Sequence, residues 1–190
     1  MSEPRLDWIA GVALSCIYLF PVGTSLASSE WQTRYTELRE RLKIKMMLPA
    51  WLPGIVYVVM CILQATAWVL WSRQPLINQQ GALWIWTWIL LLVNAAAFKF
   101  WSPILFDARG TGMTIPAAID AVILFATGVV VLILFSLVSP VSVVAIVFWS
   151  VCLVVQTYVA IMSIWIALAN SKYAMLAAEQ MRADTLPLNS

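Results

Sequence analysis

Residues 82–107 read ALWIWTWILLLVNAAAFKFWSPILFD, and the reading of this stretch decides the fold. A helix needs roughly 20 apolar residues to cross a ~30 Å hydrocarbon core, and this stretch supplies them. It also carries Asn94 at its middle and Lys99 in its second half, is lined by Trp84, Trp86, Trp88 and Trp101, and closes on Trp101-Ser102-Pro103. Polar groups left unpartnered in lipid are costly. A segment that only filled lipid would not hold them, so a neighbouring helix or a ligand is expected to meet them.

Working outward, four more stretches have the same character: residues 8–27, 49–71, 116–138 and 141–169. The last two are parted only by Ser139-Pro140, a helix breaker that permits a tight antiparallel hairpin. The 190 residues are 63% hydrophobic and 11% charged, far from the composition of a soluble domain. The expected fold is therefore all-α: an integral membrane bundle of five transmembrane helices over residues 1–170, followed by a C-terminal tail over 171–190. A net charge of +2, spread along the chain, argues against a nucleic-acid partner. The absence of histidine removes the commonest metal ligand and the commonest acid–base group near neutral pH. Neither a phosphate loop nor a dinucleotide-binding glycine motif is present, and no nucleophile–base pair stands out, so no enzyme, catalytic residue or metal site is expected. Cys16, Cys61 and Cys152 each sit alone in an apolar run and read as small buried hydrophobes.

The first span is expected to be retained rather than cleaved as a signal, because Glu3 and Asp7 outnumber Arg5 before it. Between the first two spans, Trp31, Tyr35, Leu38 and Leu42 recur at helical steps among charged residues. That pattern predicts a short amphipathic helix at the membrane surface, either a solvated connector or a lid contributed by Trp31 and Tyr35. Arg34, Arg39, Arg41, Lys43, Lys45, Arg109, Lys172 and Arg182 fall in the first loop, third loop and tail, against Arg5 and Arg73 on the other side. The bias places the N-terminus on the non-cytosolic side, with the first loop and C-terminus cytosolic. It does not distinguish the mitochondrial outer membrane, the endoplasmic reticulum or a bacterial envelope.

Gln64, Asn94 and Gln156 each lie near the middle of a span. They are expected to point inward, as glue between helices or as polar anchors for a ligand. Lys99 and Asp120 lie at similar depth on adjacent spans, and intramembrane charges commonly pair, so a Lys99–Asp120 pair is expected. Trp8, Trp68, Trp71, Trp84, Trp86, Trp88 and Trp165 fall near span ends, where an interfacial aromatic belt is the ordinary reading. Trp51, Trp101 and Trp149 fit the belt less well and suggest the flat walls of a cavity.

The order of four local motifs resembles the tryptophan-rich sensory protein family, TspO/MBR, whose mammalian members are called translocator proteins. Pro49-Ala50-Trp51-Leu52-Pro53 is similar to the family's P-x-W-x-P at the start of the second helix, and Trp101-Ser102-Pro103-Ile104-Leu105-Phe106 to the W-S-P-L-F-F that ends the third. Arg109 with the later Asp120, and Trp149 with Tyr158 nine residues on, resemble family features of the fourth and fifth helices. The family's F-x-P-V-W stretch after Pro53 is replaced by GIVYVVMCILQ, the asparagine expected three residues before Trp101 is Phe98, and the one before Tyr158 is Thr157.

The resemblance implies a membrane receptor or carrier for a flat hydrophobic ligand of porphyrin, sterol or benzodiazepine-site type, and leaves room for a homodimer. In that reading Trp51, Asn94, Trp101, Trp149, Gln156 and Tyr158 line the ligand site. No cofactor is required; porphyrin or haem enters as ligand, by stacking. Porphyrin degradation has been suggested for some members of the family. The alternatives are an ion-coupled transporter using Lys99 and Asp120, and a non-catalytic structural or assembly subunit, with membrane lipid as partner in every case.

Overall fold

The computed structural model describes residues 29–43, 45, 47–72, 82–105, 114–137 and 143–185, and every regular element among them is an α-helix. We number them α1 (Ser29–Leu42), α2 (Leu52–Ser72), α3 (Ala82–Leu105), α4 (Thr114–Leu137) and α5 (Val143–Thr185). The expected first span, residues 8–27 with Trp8 and Cys16, lies outside the described residues, as do Arg5, Arg73 and Arg109. Helices α2 to α5 are each long and apolar enough to cross a membrane, consistent with a multi-pass membrane protein.

The helix ends follow from local chemistry. The Leu52 amide donates to the Pro49 carbonyl at 3.0 Å, and Pro53 occupies the first turn of α2, where a missing N–H costs nothing. Pro116 does the same for α4. Pro103 does not stop α3, which continues two residues to Leu105. Helix α5 likewise runs unbroken past the expected boundary at residue 170, and its 43 residues span about 64 Å, twice the thickness of a bilayer core.

Backbone packing joins α3 to α4, α4 to α5, and α5 to α2, with α1 resting on α5. Facing side chains keep register along each seam. Between α4 and α5, Thr114 meets Asn170, Gly128 meets Trp149 and Gln156, and Phe135 meets Trp149. Between α3 and α5, which run parallel, Asn94 pairs with Gln156 and Trp101 with Ser163, sixty-two positions apart in both cases. The backbones of α2 and α3 lack the close approach of the other neighbours. Long side chains bridge them instead: Tyr57 stacks on Phe98, Gln64 reaches Asn94, and Trp68 and Trp71 contact Trp88 and Trp84.

Gly128 lies where α5 packs directly on the α4 backbone. A side chain there would run into the carboxamide oxygen of Gln156 and into Leu153. Most outward positions of the four long helices are apolar, among them Ile55, Leu92, Ile119 and Val154, so the surface they form suits hydrocarbon.

Candidate ligand cavity above a buried amide cluster

The interior of the bundle is layered along its axis. At the end where α2 finishes and α3 begins, Trp68, Trp71, Trp84 and Trp88 form one aromatic cluster that continues through Phe135 to Trp149. Trp71 lies 5.4 Å from Phe135, nearly parallel, and is 1% exposed. The belt reading of Trp68, Trp71, Trp84 and Trp88 is thus corrected: these four turn inward, because the space between the separated α2 and α3 backbones has to be filled by large side chains. Trp86 and Trp165 remain exposed, as a belt requires.

The amide layer comes next. Gln64, Asn94 and Gln156 are all fully buried and converge. Asn94 Nδ2 donates to the Leu124 carbonyl at 2.7 Å and to Thr127 Oγ1 at 2.9 Å. Its Oδ1 accepts from Gln64 Nε2 at 3.4 Å and Gln156 Nε2 at 3.3 Å. One asparagine therefore ties α2, α4 and α5 to α3. The Oε1 atoms of Gln64 and Gln156 have no conventional donor among the described residues. Gln156 Oε1 faces the Cα of Gly128, where a weak C–H···O contact partly compensates.

Beyond the amides lies an apolar cavity. It is bounded by Pro53, Val56, Tyr57 and Met60 of α2, Phe98 and Trp101 of α3, Leu124 of α4, and Val155, Tyr158, Val159 and Met162 of α5. Tyr35 of α1 and Leu48, in the segment that leads into α2, complete it. The indole N–H of Trp101 donates to Ser163 Oγ at 2.8 Å, and that hydroxyl donates to the Val159 carbonyl at 2.7 Å, so the ring is held in place as a wall. The cavity's volume is ≈ 50 Å³. Drug-sized ligands occupy pockets of roughly 300–1,000 Å³, so the cavity as it stands admits a slender apolar group and must widen for a flat polycyclic one.

Helix α1 forms the roof. Tyr35 and Leu38 are buried, Leu42 packs on the core, and Glu37, Arg39, Glu40 and Arg41 carry charge to the exposed side. The Tyr35 phenol sits close to Tyr158 and to the backbone of Leu48, where burial pushes it above its usual range, Tyr158 adds to the effect and Arg39 opposes it. It therefore stays neutral at physiological pH. At the same end, Arg41 donates to Asn170 Oδ1 at 3.1 Å and Asn170 donates to Thr114 Oγ1 at 3.3 Å, a chain that fastens α1 to α5 and α5 to α4.

The residues expected at the site therefore part company. Tyr35, Trp101 and Tyr158 meet at the cavity. Asn94 and Gln156 lie one layer deeper: Asn94 spends its bonding groups on Gln64, Gln156 and α4, and Gln156 donates its Nε2 to Asn94. Trp149 is fully buried but belongs to the aromatic cluster, its N–H donated to the Gly128 carbonyl at 2.8 Å. Trp51 is 61% exposed and faces away. Trp31 starts α1, but its side chain is outside the described residues. Tyr57 and Phe98, missed by the sequence reading, supply a stacked pair at 4.3 Å; both lie one turn from residues that were singled out. Cys61 and Cys152, read separately, come together across α2 and α5, where the Cys152 thiol contacts the Met60 carbonyl at 3.9 Å.

The expected Lys99–Asp120 pair does not form. Lys99 is exposed, with its ammonium 5.9 Å from the Phe100 ring, and Asp120 keeps a buried Oδ2 with no hydrogen-bond partner among the described residues. The depths match, but Lys99 is five residues from Asn94, about 140° around the helix from the face that meets α4. The stability changes from Lys99→Met and Asp120→Asn are accordingly expected to be additive, and a double-mutant cycle followed by unfolding in detergent should show no coupling between them. No protein-family model matches the chain, and no curated protein or solved structure matches it.

Proposed function

We propose that this chain is a multi-pass membrane receptor or carrier that takes a small hydrophobic ligand into the cavity roofed by α1. One observation carries the reading: an apolar chamber walled by aromatic side chains and closed by a helix that is otherwise charged. Trp101 is held by Ser163 and presents a fixed flat face, while the Tyr57–Phe98 stack lies on the seam where the α2 and α3 backbones already stand apart. Lifting α1 or parting that seam enlarges the chamber enough for a planar ligand. The sequence motifs shared with the TspO/MBR family point to the same ligand classes, tetrapyrroles and sterols, bound by stacking and burial rather than by iron ligation.

Protoporphyrin and a sterol are titrated separately into the purified protein while tryptophan emission is followed. Saturable quenching is expected, with affinity falling about tenfold in Trp101→Leu through lost stacking and buried area. Trp51→Leu leaves the affinity unchanged, since that ring faces away. Trp149→Leu lowers stability while leaving the affinity of the folded fraction intact. Quenching that rises linearly with ligand and is indifferent to Trp101→Leu overturns the reading.

A further inference from the structure

The outer side of α1 carries chemistry that the cavity does not use. Thr36, Arg39, Glu40, Lys43 and Lys45 line an open groove at the end of α1 that leads into α2. Arg39, Lys43 and Lys45 are exposed, and none is held in an ion pair among the described residues. Glu40 subtracts one charge from the three, and Arg41 is turned away to Asn170. Thr36 has already given its hydroxyl proton to the Gln32 carbonyl at 2.8 Å, so the groove's strong free donors are the three cations.

Cations in the last turn of a helix complement its dipole, which accounts for Arg39 and Arg41. It does not account for Lys43. That residue lies just past the helix at φ 51°, in the left-handed region, with its N–H closing on the Arg39 carbonyl at 3.0 Å. Glycine is the residue that ends a helix this way without strain, and a side chain there is disfavoured. The strained turn brings the Lys43 and Lys45 side chains into one concavity with Arg39, which a relaxed glycine could not do for the charge at position 43.

We propose that this groove is a binding site for a phosphate group, presented either by an anionic lipid headgroup or by a soluble phosphoryl compound. Arg39 supplies a planar fork for two phosphate oxygens, and the two lysines supply point charges. The site stands one turn from Tyr35, so its occupant rests on the same helix that roofs the cavity, whatever the cavity holds.

The test uses the whole chain reconstituted in phosphatidylcholine nanodiscs, with or without phosphatidylglycerol, then extracted for native mass spectrometry. The double variant Lys43→Gly, Lys45→Gln keeps the left-handed turn, relieves its strain and removes two charges. The wild type is expected to retain phosphatidylglycerol over phosphatidylcholine, and the variant to lose that preference about tenfold, with an unchanged or higher thermal midpoint. Inorganic phosphate separates the sources. If it raises the midpoint of the lipid-free wild type but not of the variant, and no phosphatidylglycerol preference is seen, the site stands and its ligand is soluble. Equal retention of both lipids without any variant-sensitive effect of phosphate overturns the proposal.

Discussion

Asn94→Leu is expected to destabilise the bundle by about 3 kcal/mol, read as the shift in unfolding free energy in detergent titrations. The side chain makes four hydrogen bonds, to α2, α4 and α5, and all are fully buried or nearly so. Interhelical hydrogen bonds within membranes contribute only about 0.6 kcal/mol each on average, because the unfolded chain also finds partners there. The larger share comes from what is left behind. Gln64 and Gln156 lose their shared acceptor while remaining sealed in the core, and each stranded carboxamide costs about 1–3 kcal/mol. The penalty should therefore fall if the partners are removed too: Gln156→Leu in the Asn94→Leu background costs less than Gln156→Leu alone. A loss under about 0.5 kcal/mol for Asn94→Leu would mean that the amides find alternative partners and do not organise the bundle.

Gly128→Leu has an effect of similar size for a different reason. The hydrogen at the position of a Cβ already touches the Gln156 carboxamide, and Leu153 lies 3.2 Å from where that Cβ would sit. A leucine cannot be housed without pushing α4 from α5, which also draws the Gly128 carbonyl away from the Trp149 indole. Overpacking of this kind costs about 1–3 kcal/mol in soluble cores, and here an indole bond is lost as well. Gly128→Ala is the informative partner experiment. Its methyl collides with the end of a flexible side chain, so Gln156 can swing aside at the expense of its bond to Asn94, about 1 kcal/mol. In an Asn94→Leu background that bond is already gone, and Gly128→Ala should become nearly neutral.

Much of the described architecture can be read from hydropathy. Each of α2 to α4 starts and ends within a few residues of an apolar run bounded by breakers or charges, α5 starts so but continues to Thr185, well past its run, and α1 shows its Tyr35, Leu38 and Leu42 stripe directly. The amides were legible too, because a carboxamide in the middle of a span has nowhere to go but inward. The tryptophans were not. Depth along a helix follows from residue number, whereas the direction a ring faces depends on how far apart the neighbouring backbones stand. Trp84 and Trp86 are two residues apart at one depth, yet the first packs into the cluster and the second is 58% exposed. The Lys99–Asp120 expectation failed on the same point, since equal depth says nothing about angle. Taking Asn94 as inward and stepping 100° per residue would have placed Lys99 outside and Trp101 inside. Trp149 looked like a cavity wall because it is aromatic and inside a span, and it is fully inside, but around the axis it faces Phe135.

The proposed ligand enters the chamber between Tyr35, Trp101 and Tyr158 rather than adhering to the apolar exterior. A sterol carrying a photoactivatable diazirine, bound to the purified protein and irradiated, tests this directly when the labelled peptides are mapped by mass spectrometry. Labels on Tyr57, Phe98, Trp101, Tyr158 or Val159, competed away by excess unlabelled ligand, are the expected result. Labels confined to outward residues such as Ile55, Leu92 and Phe100, and insensitive to competitor, would contradict it.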